Sequence, residues 1–140
     1  MTAVGHTKAD LLVLLPEDRV VATGDLLIAP VPYGINPFFD AWIPTLDRLA
    51  ALPVDAYVPG HGDVQFTTDY IKLQRELFVS LMAQAENAAR DGLTVEQFKA
   101  RLDLKEIEKR FVGGDPERQW GWDNYFMDGA PTRALALAKG

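Results

Sequence analysis

Two histidines occur in this chain, and both sit beside glycines: Gly5-His6-Thr7 and Pro59-Gly60-His61-Gly62. Asp25 lies between them in Thr23-Gly24-Asp25-Leu26-Leu27. All three follow a glycine, and Asp25 and His61 each follow a short apolar run. The pattern predicts polar side chains held on loops at strand ends, where glycine lets the backbone turn and approach closely. Two imidazoles and a carboxylate are also a ligand set suited to zinc or iron. A hydrolytic metal site needs such groups on rigid supports, with one position left for water.

The remaining composition narrows the field. With 140 residues, 48% of them hydrophobic, the chain is long enough for one domain with a sizeable core and is not disordered. The net charge of −6 and the lack of a basic patch argue against nucleic acid as a partner. The absence of cysteine excludes disulfides and thiolate metal sites. Met1 to His6 has neither a basic nor an apolar leader region, and no apolar run approaches the roughly 20 residues of a membrane helix. A cytoplasmic protein without membrane attachment is the expectation.

Local patterns predict an α/β (α+β) chain of short strands followed mainly by helices. Leu11 to Leu15 and Arg19 to Thr23, joined by Pro16-Glu17-Asp18, read as a β-hairpin. The unbroken run Leu11 to Leu15 predicts a strand buried on both faces. Pro30 to Pro37 is a loop, and a helix is predicted from about Phe38 to Leu52, capped by Asn36 and interrupted or kinked at Pro44. Asp55 to Pro59 reads as a strand. Thr67 or Thr68 opens a long helix to about Arg90, closed by Asp91-Gly92. Thr94-x-x-Gln97 is a capping box. A further helix is expected from Asp103 to Phe111, a turn at Gly113 to Pro116, and a weak helix from Thr132 to Lys139. The organisation is one domain, 1–140, with a strand and ligand region over 1–66 and a helical region over 67–140.

Gly5-His6-Thr7 with Asp10-Leu11, Thr23-Gly24-Asp25-Leu26-Leu27 and Val58-Pro59-Gly60-His61-Gly62 together resemble the metallo-β-lactamase superfamily of metallohydrolases. The order and spacing match its C-terminal half over roughly Val4 to Ala85. Within that superfamily the chain is similar to the broad group of glyoxalase II-like thioester hydrolases rather than to the antibiotic-degrading enzymes.

The resemblance implies half of an αββα sandwich. It implies that His6 binds a first metal, that Asp25 bridges two metals and that His61 binds the second. It implies zinc, one or two ions, with iron or manganese as alternatives, and hydrolysis of an ester or thioester-type bond by a metal-bound hydroxide. The family's His-x-His-x-Asp-His motif needs three histidines and is absent here. The expected partner is therefore an N-terminal-half polypeptide or a second copy in a homodimer, covering an otherwise open sheet face. Two other readings remain. The chain is a non-catalytic half-domain that serves as a binding or assembly module, or His6, Asp25 and His61 converge on a single ion.

Several residues carry two readings each. Tyr33 contacts substrate or packs in the core. Asp63 orients an imidazole or sits on the surface. Asp10 is a turn residue rather than a ligand. Trp120, Trp122, Tyr125 and Phe126 pin the C-terminal segment to the core or form an aromatic wall of a binding site.

Overall fold

A computed structural model describes all 140 residues. Strands β1 (Thr2–Ala3) and β2 (Asp10–Leu11) form a two-stranded antiparallel ribbon. Strands β3 (Val13–Leu15), β4 (Val20–Ile28) and β5 (Ala56–His61) form a three-stranded sheet in the order β3-β4-β5. The predicted hairpin is the antiparallel β3-β4 pair, turned through Pro16 to Arg19. The β4-β5 pair is parallel, which demands a crossover, and helix α1 (Phe39–Ala50) supplies it.

Helices dominate the rest: α2 (Asp69–Arg90), α3 (Val95–Arg101), α4 (Lys105–Val112), α5 (Pro116–Gly121), a π-helical segment (Trp122–Met127) and α6 (Ala130–Lys139). The fold class is thus the expected α+β order of short strands followed mainly by helices. No helix is long and apolar enough to cross a membrane.

The long helix and the capping box follow the sequence closely. In α2, Ile71, Leu77, Phe78, Leu81, Met82 and Ala85 form one buried stripe at helical spacing. At α3, Thr94 Oγ1 accepts from Gln97 N while Gln97 Oε1 accepts from Thr94 N. Helix α1 departs at its start. Asn36 has φ +58° and makes no capping bond, and the helix instead begins after Phe38, whose N–H donates to Gly5 O. Pro44 lies inside α1 on its exposed side without ending it.

One core joins the sheet to the helices. Val21, Leu26, Leu27 and Tyr57 pack with Trp42, Leu46, Ile71, Phe78 and Phe126. Leu26 O is held from two helices, by Trp42 Nε1 at 3.2 Å and Gln74 Nε2 at 3.1 Å. At roughly 25 cal/mol per Å2 of apolar surface, burying side chains of this size contributes ~1.5–3 kcal/mol each.

The Leu11 to Leu15 run is not buried on both faces. Leu12 and Leu14 turn inward, while Leu11, Val13 and Leu15 are 69%, 58% and 46% exposed. The register explains it. Leu14, Val21 and Tyr57 line up on the helix-covered face, and Val13, Ala22 and Val58 line up on the other. Nothing in the chain covers that second face, so the run alternates as a one-sided strand does.

Candidate metal centre

His6 lies in the loop between β1 and β2. Gly5 lets that loop lie against helix α1, since a Cβ there would stand 2.5 Å from Trp42 Cδ1. The loop is then closed by Asp10, whose carboxylate accepts from Thr7 N at 3.0 and 3.1 Å and from Thr7 Oγ1 at 2.7 Å. Asp10 is therefore the turn residue expected, and it fixes the segment next to His6. The His6 ring rests edge-on to Trp42 at 6.0 Å and tilted to Tyr33 at 5.8 Å.

Asp25 is not at a strand end. It lies within β4, just after Gly24, which has φ +53° and interrupts the register with β5 on both sides. This irregularity is a β-bulge, a device that bends a strand and re-aims a side chain. Thr23, fully buried, donates to Val58 O at 3.2 Å and ties the bulge to β5. His61 is the last residue of β5, and its carbonyl accepts from Ala29 N at 3.0 Å. Gly60 lets the two strands close around the site, because a Cβ there would overlap Asp25 Oδ1.

The three predicted residues come together. His6 Nδ1 stands 3.9 Å from Asp25 Oδ2, and His61 Nε2 stands 3.6 Å from Asp25 Oδ1. Neither is a hydrogen bond. The carboxylate thus faces one imidazole with each oxygen. His6 is mostly covered, while the His61 side chain is 67% exposed.

These residues line a cavity of about 870 Å3. Tyr33, half-buried, also lines it, as do Arg118 from α5 and Tyr125 from the π segment. The aromatic cluster therefore divides. Trp122 and Phe126 are buried in the core, Trp120 is exposed, and Tyr125 faces the cavity. The π segment brings Tyr125 there, with its carbonyl accepting from Gly34 N at 2.8 Å. Asp63 is exposed and lies outside this cavity. Arg118 carries no signal in the sequence beyond following the Gly113 to Pro116 turn. Asp115 caps that short helix, accepting from Glu117 N and Arg118 N at 2.8 and 3.1 Å.

Comparison with known proteins fits this fold. The stereoselective inverting sec-alkylsulfatase Pisa1 from Pseudomonas sp. superposes with a TM-score of 0.68 at 19% identity, over 98% of this chain and 22% of its own. A double mutant of the sec-alkyl sulfatase PisA1 gives 0.69 at 20%, over 97% and 22%. At that identity the likeness shows the fold. The 2,4-dinitroanisole O-demethylase subunit alpha of Nocardioides sp. (strain JS1661) is 30% identical over 99 residues, 66% of this chain and 29% of that protein. The chain therefore spans less than a third of the length of the proteins it matches. No family model matches it.

The donors can be tested against a metal by their separations. Two ligands about 2.1 Å from one zinc ion stand between about 3.4 Å apart, when tetrahedral, and about 4.2 Å, when opposed. Both imidazole–carboxylate separations fall in this range. No three side chains form a group that would hold one ion. The single-ion arrangement of His6, Asp25 and His61 is accordingly not present. The donors suit a metal in type, and each position has one imidazole and one carboxylate oxygen, fewer than the three protein ligands of a catalytic zinc.

Proposed function

We propose that this chain forms part of a metal-dependent hydrolase of the metallo-β-lactamase type, acting on an ester-type bond. The observation that carries the reading is the placement of Asp25 between His6 and His61 at an open cavity. A divalent ion bound there would acidify water and polarise the bond to be broken. His6 and His61 would hold separate positions, with Asp25 shared between them. Tyr33 lines the approach to His6 and would touch substrate. Zinc suits the donors, and iron or manganese are the alternatives.

The matched proteins support the reaction class without fixing it. One is named a sulfatase and the other an O-demethylase, and both names describe breaking a bond to an ester or ether oxygen. The incomplete ligand sets and the open sheet face both favour a partner that completes the site. We infer a polypeptide corresponding to the missing half of the sandwich, or a second copy of the chain.

The test is the metal content of the purified chain by elemental mass spectrometry, followed by a screen of sulfate esters, carboxylic esters and thioesters. About one equivalent of metal or more is expected, with His6→Ala and His61→Ala each emptying its own position. No uptake of zinc, iron or manganese, alone or with a candidate partner, would end this reading. The chain would then be a non-catalytic assembly module.

A further inference from the structure

The cavity has a second wall that the metal-site reading leaves without a task. It is built from α5 and the π segment and presents Arg118 and Tyr125. Among the lysines and arginines, Arg19, Arg75, Lys109 and Arg110 form ion pairs, with Asp55, Asp47, Glu106 and Glu76, and the exposed Arg118 is one of those that do not. Arg118 has no carboxylate within 4 Å. The nearby Asp115 is occupied in capping α5. Arg118 also lines an adjoining hollow of about 290 Å3, shared with Arg110, Asp63 and Gly62, so it stands on the His61 side of the cavity.

We propose that Arg118 binds the anionic group of an organic ligand whose apolar body lies against Val31, Tyr33 and Tyr125. The cavity would then select anionic amphiphiles, sulfate or carboxylate, over neutral ones. A guanidinium presents its N–H donors in a planar fork that matches either anion bidentately. The apolar lining and two tyrosines give the rest of the molecule a surface, and the volume suits a small organic ligand. Glu117 lines the same wall without an ion-pair partner, so a cationic ligand is the competing outcome. The inference rests on the hydrolase reading only for where the reacting bond would lie.

The test is calorimetric titration of the full chain with four probes below their aggregation limits: hexyl sulfate, hexanoate, hexan-1-ol and hexyltrimethylammonium. Tighter binding of one or both anions than of hexanol is expected, and the tighter of the two identifies the anion. Arg118→Gln should weaken anion binding about tenfold, the loss of one charge-assisted pair, and leave hexanol unchanged. Arg118→Lys should retain part of the preference. The proposal is overturned by no anion preference, by equal loss for hexanol, or by a preference for the ammonium that Glu117→Gln removes. Anion preference without metal uptake would leave Arg118 its role and remove the hydrolase reading. Metal-dependent hydrolysis without anion preference would do the reverse.

Discussion

The Asp25 carboxylate occupies the space that a side chain at position 60 would need. A Cβ on Gly60 would overlap Asp25 Oδ1 and stand 2.8 Å from Gly24 C. Gly60→Ala should therefore push Asp25 away from the imidazoles without removing a ligand atom. We expect a loss of about 1–3 kcal/mol in stability, as overpacking usually costs, together with lower metal uptake. Denaturant titration and elemental analysis check both. Wild-type values for the two would mean that the bulge yields freely and that its close packing is incidental.

The uncovered sheet face makes a separate prediction. Val13 and Leu15 are exposed neighbours on it, beside Val58. Exposed apolar patches mark interfaces or aggregation sites. The double substitution Val13→Lys, Leu15→Lys should reduce self-association in sedimentation velocity and lower the binding of hydrophobic dyes. Because both side chains already face solvent, stability should change by no more than about 0.5 kcal/mol per site. A monodisperse wild-type monomer that binds no dye would count against an interface here.

Tyr70 predicts a pH dependence. Its hydroxyl donates to Ile28 O at 2.5 Å, and its ring meets Phe111 edge-on at 5.8 Å. Burial holds its pKa above the ordinary tyrosine value, although Arg118 acts in the opposite direction. The folded state therefore keeps this proton longer than the unfolded chain does. The associated stability is fully present below the unfolded tyrosine pKa of about 10, and is lost as pH rises above it. Tyr70→Phe should cost about 1 kcal/mol near neutral pH through the lost hydrogen bond. It should also flatten the alkaline fall in stability. Tyr57, whose pKa burial also raises, and Lys109, whose pKa the Glu106 carboxylate raises, contribute to the remaining slope. Unfolding curves from pH 7 to 11 that stay parallel for the two proteins would refute the assignment.

Asp10 tests whether loop order matters to the site. Its three bonds to Thr7 fix the backbone next to His6. Asp10→Ala should lower metal affinity about tenfold, at the lower end of what supporting groups contribute to metal sites. His61 is not touched by this change. A competition assay with a chromophoric chelator measures it, and unchanged affinity would show that His6 is held by Trp42 and Tyr33 alone.

The sequence was readable wherever the signal was local. The Pro16 turn, the stripe along α2 and the Thr94 to Gln97 box each lie within one element, and each formed as its residues predict. The convergence of His6, Asp25 and His61 was legible because each follows a glycine and the family resemblance sets their order. What failed was non-local. The bulge at Gly24 depends on how β4 meets β5. Asn36 lost its capping role because Gly5, thirty-odd residues earlier, accepts the Phe38 N–H instead. Arg118 and Tyr125 reach the cavity only because α5 and the π segment pack back over the Pro30 to Gly34 loop. No periodicity within either segment encodes that return.

The edge-on contact between His6 and Trp42 gives this site its own optical reporter. Trp42 is fully buried, and its indole lies 6.0 Å from the imidazole. Trp122 is buried away from the cavity among Phe111 and Phe126, and Trp120 is open to solvent. An ion captured by His6 changes the charge beside one indole out of three. Emission from the shielded indoles can therefore follow events at His6 in the unlabelled chain, while an aqueous quencher silences Trp120.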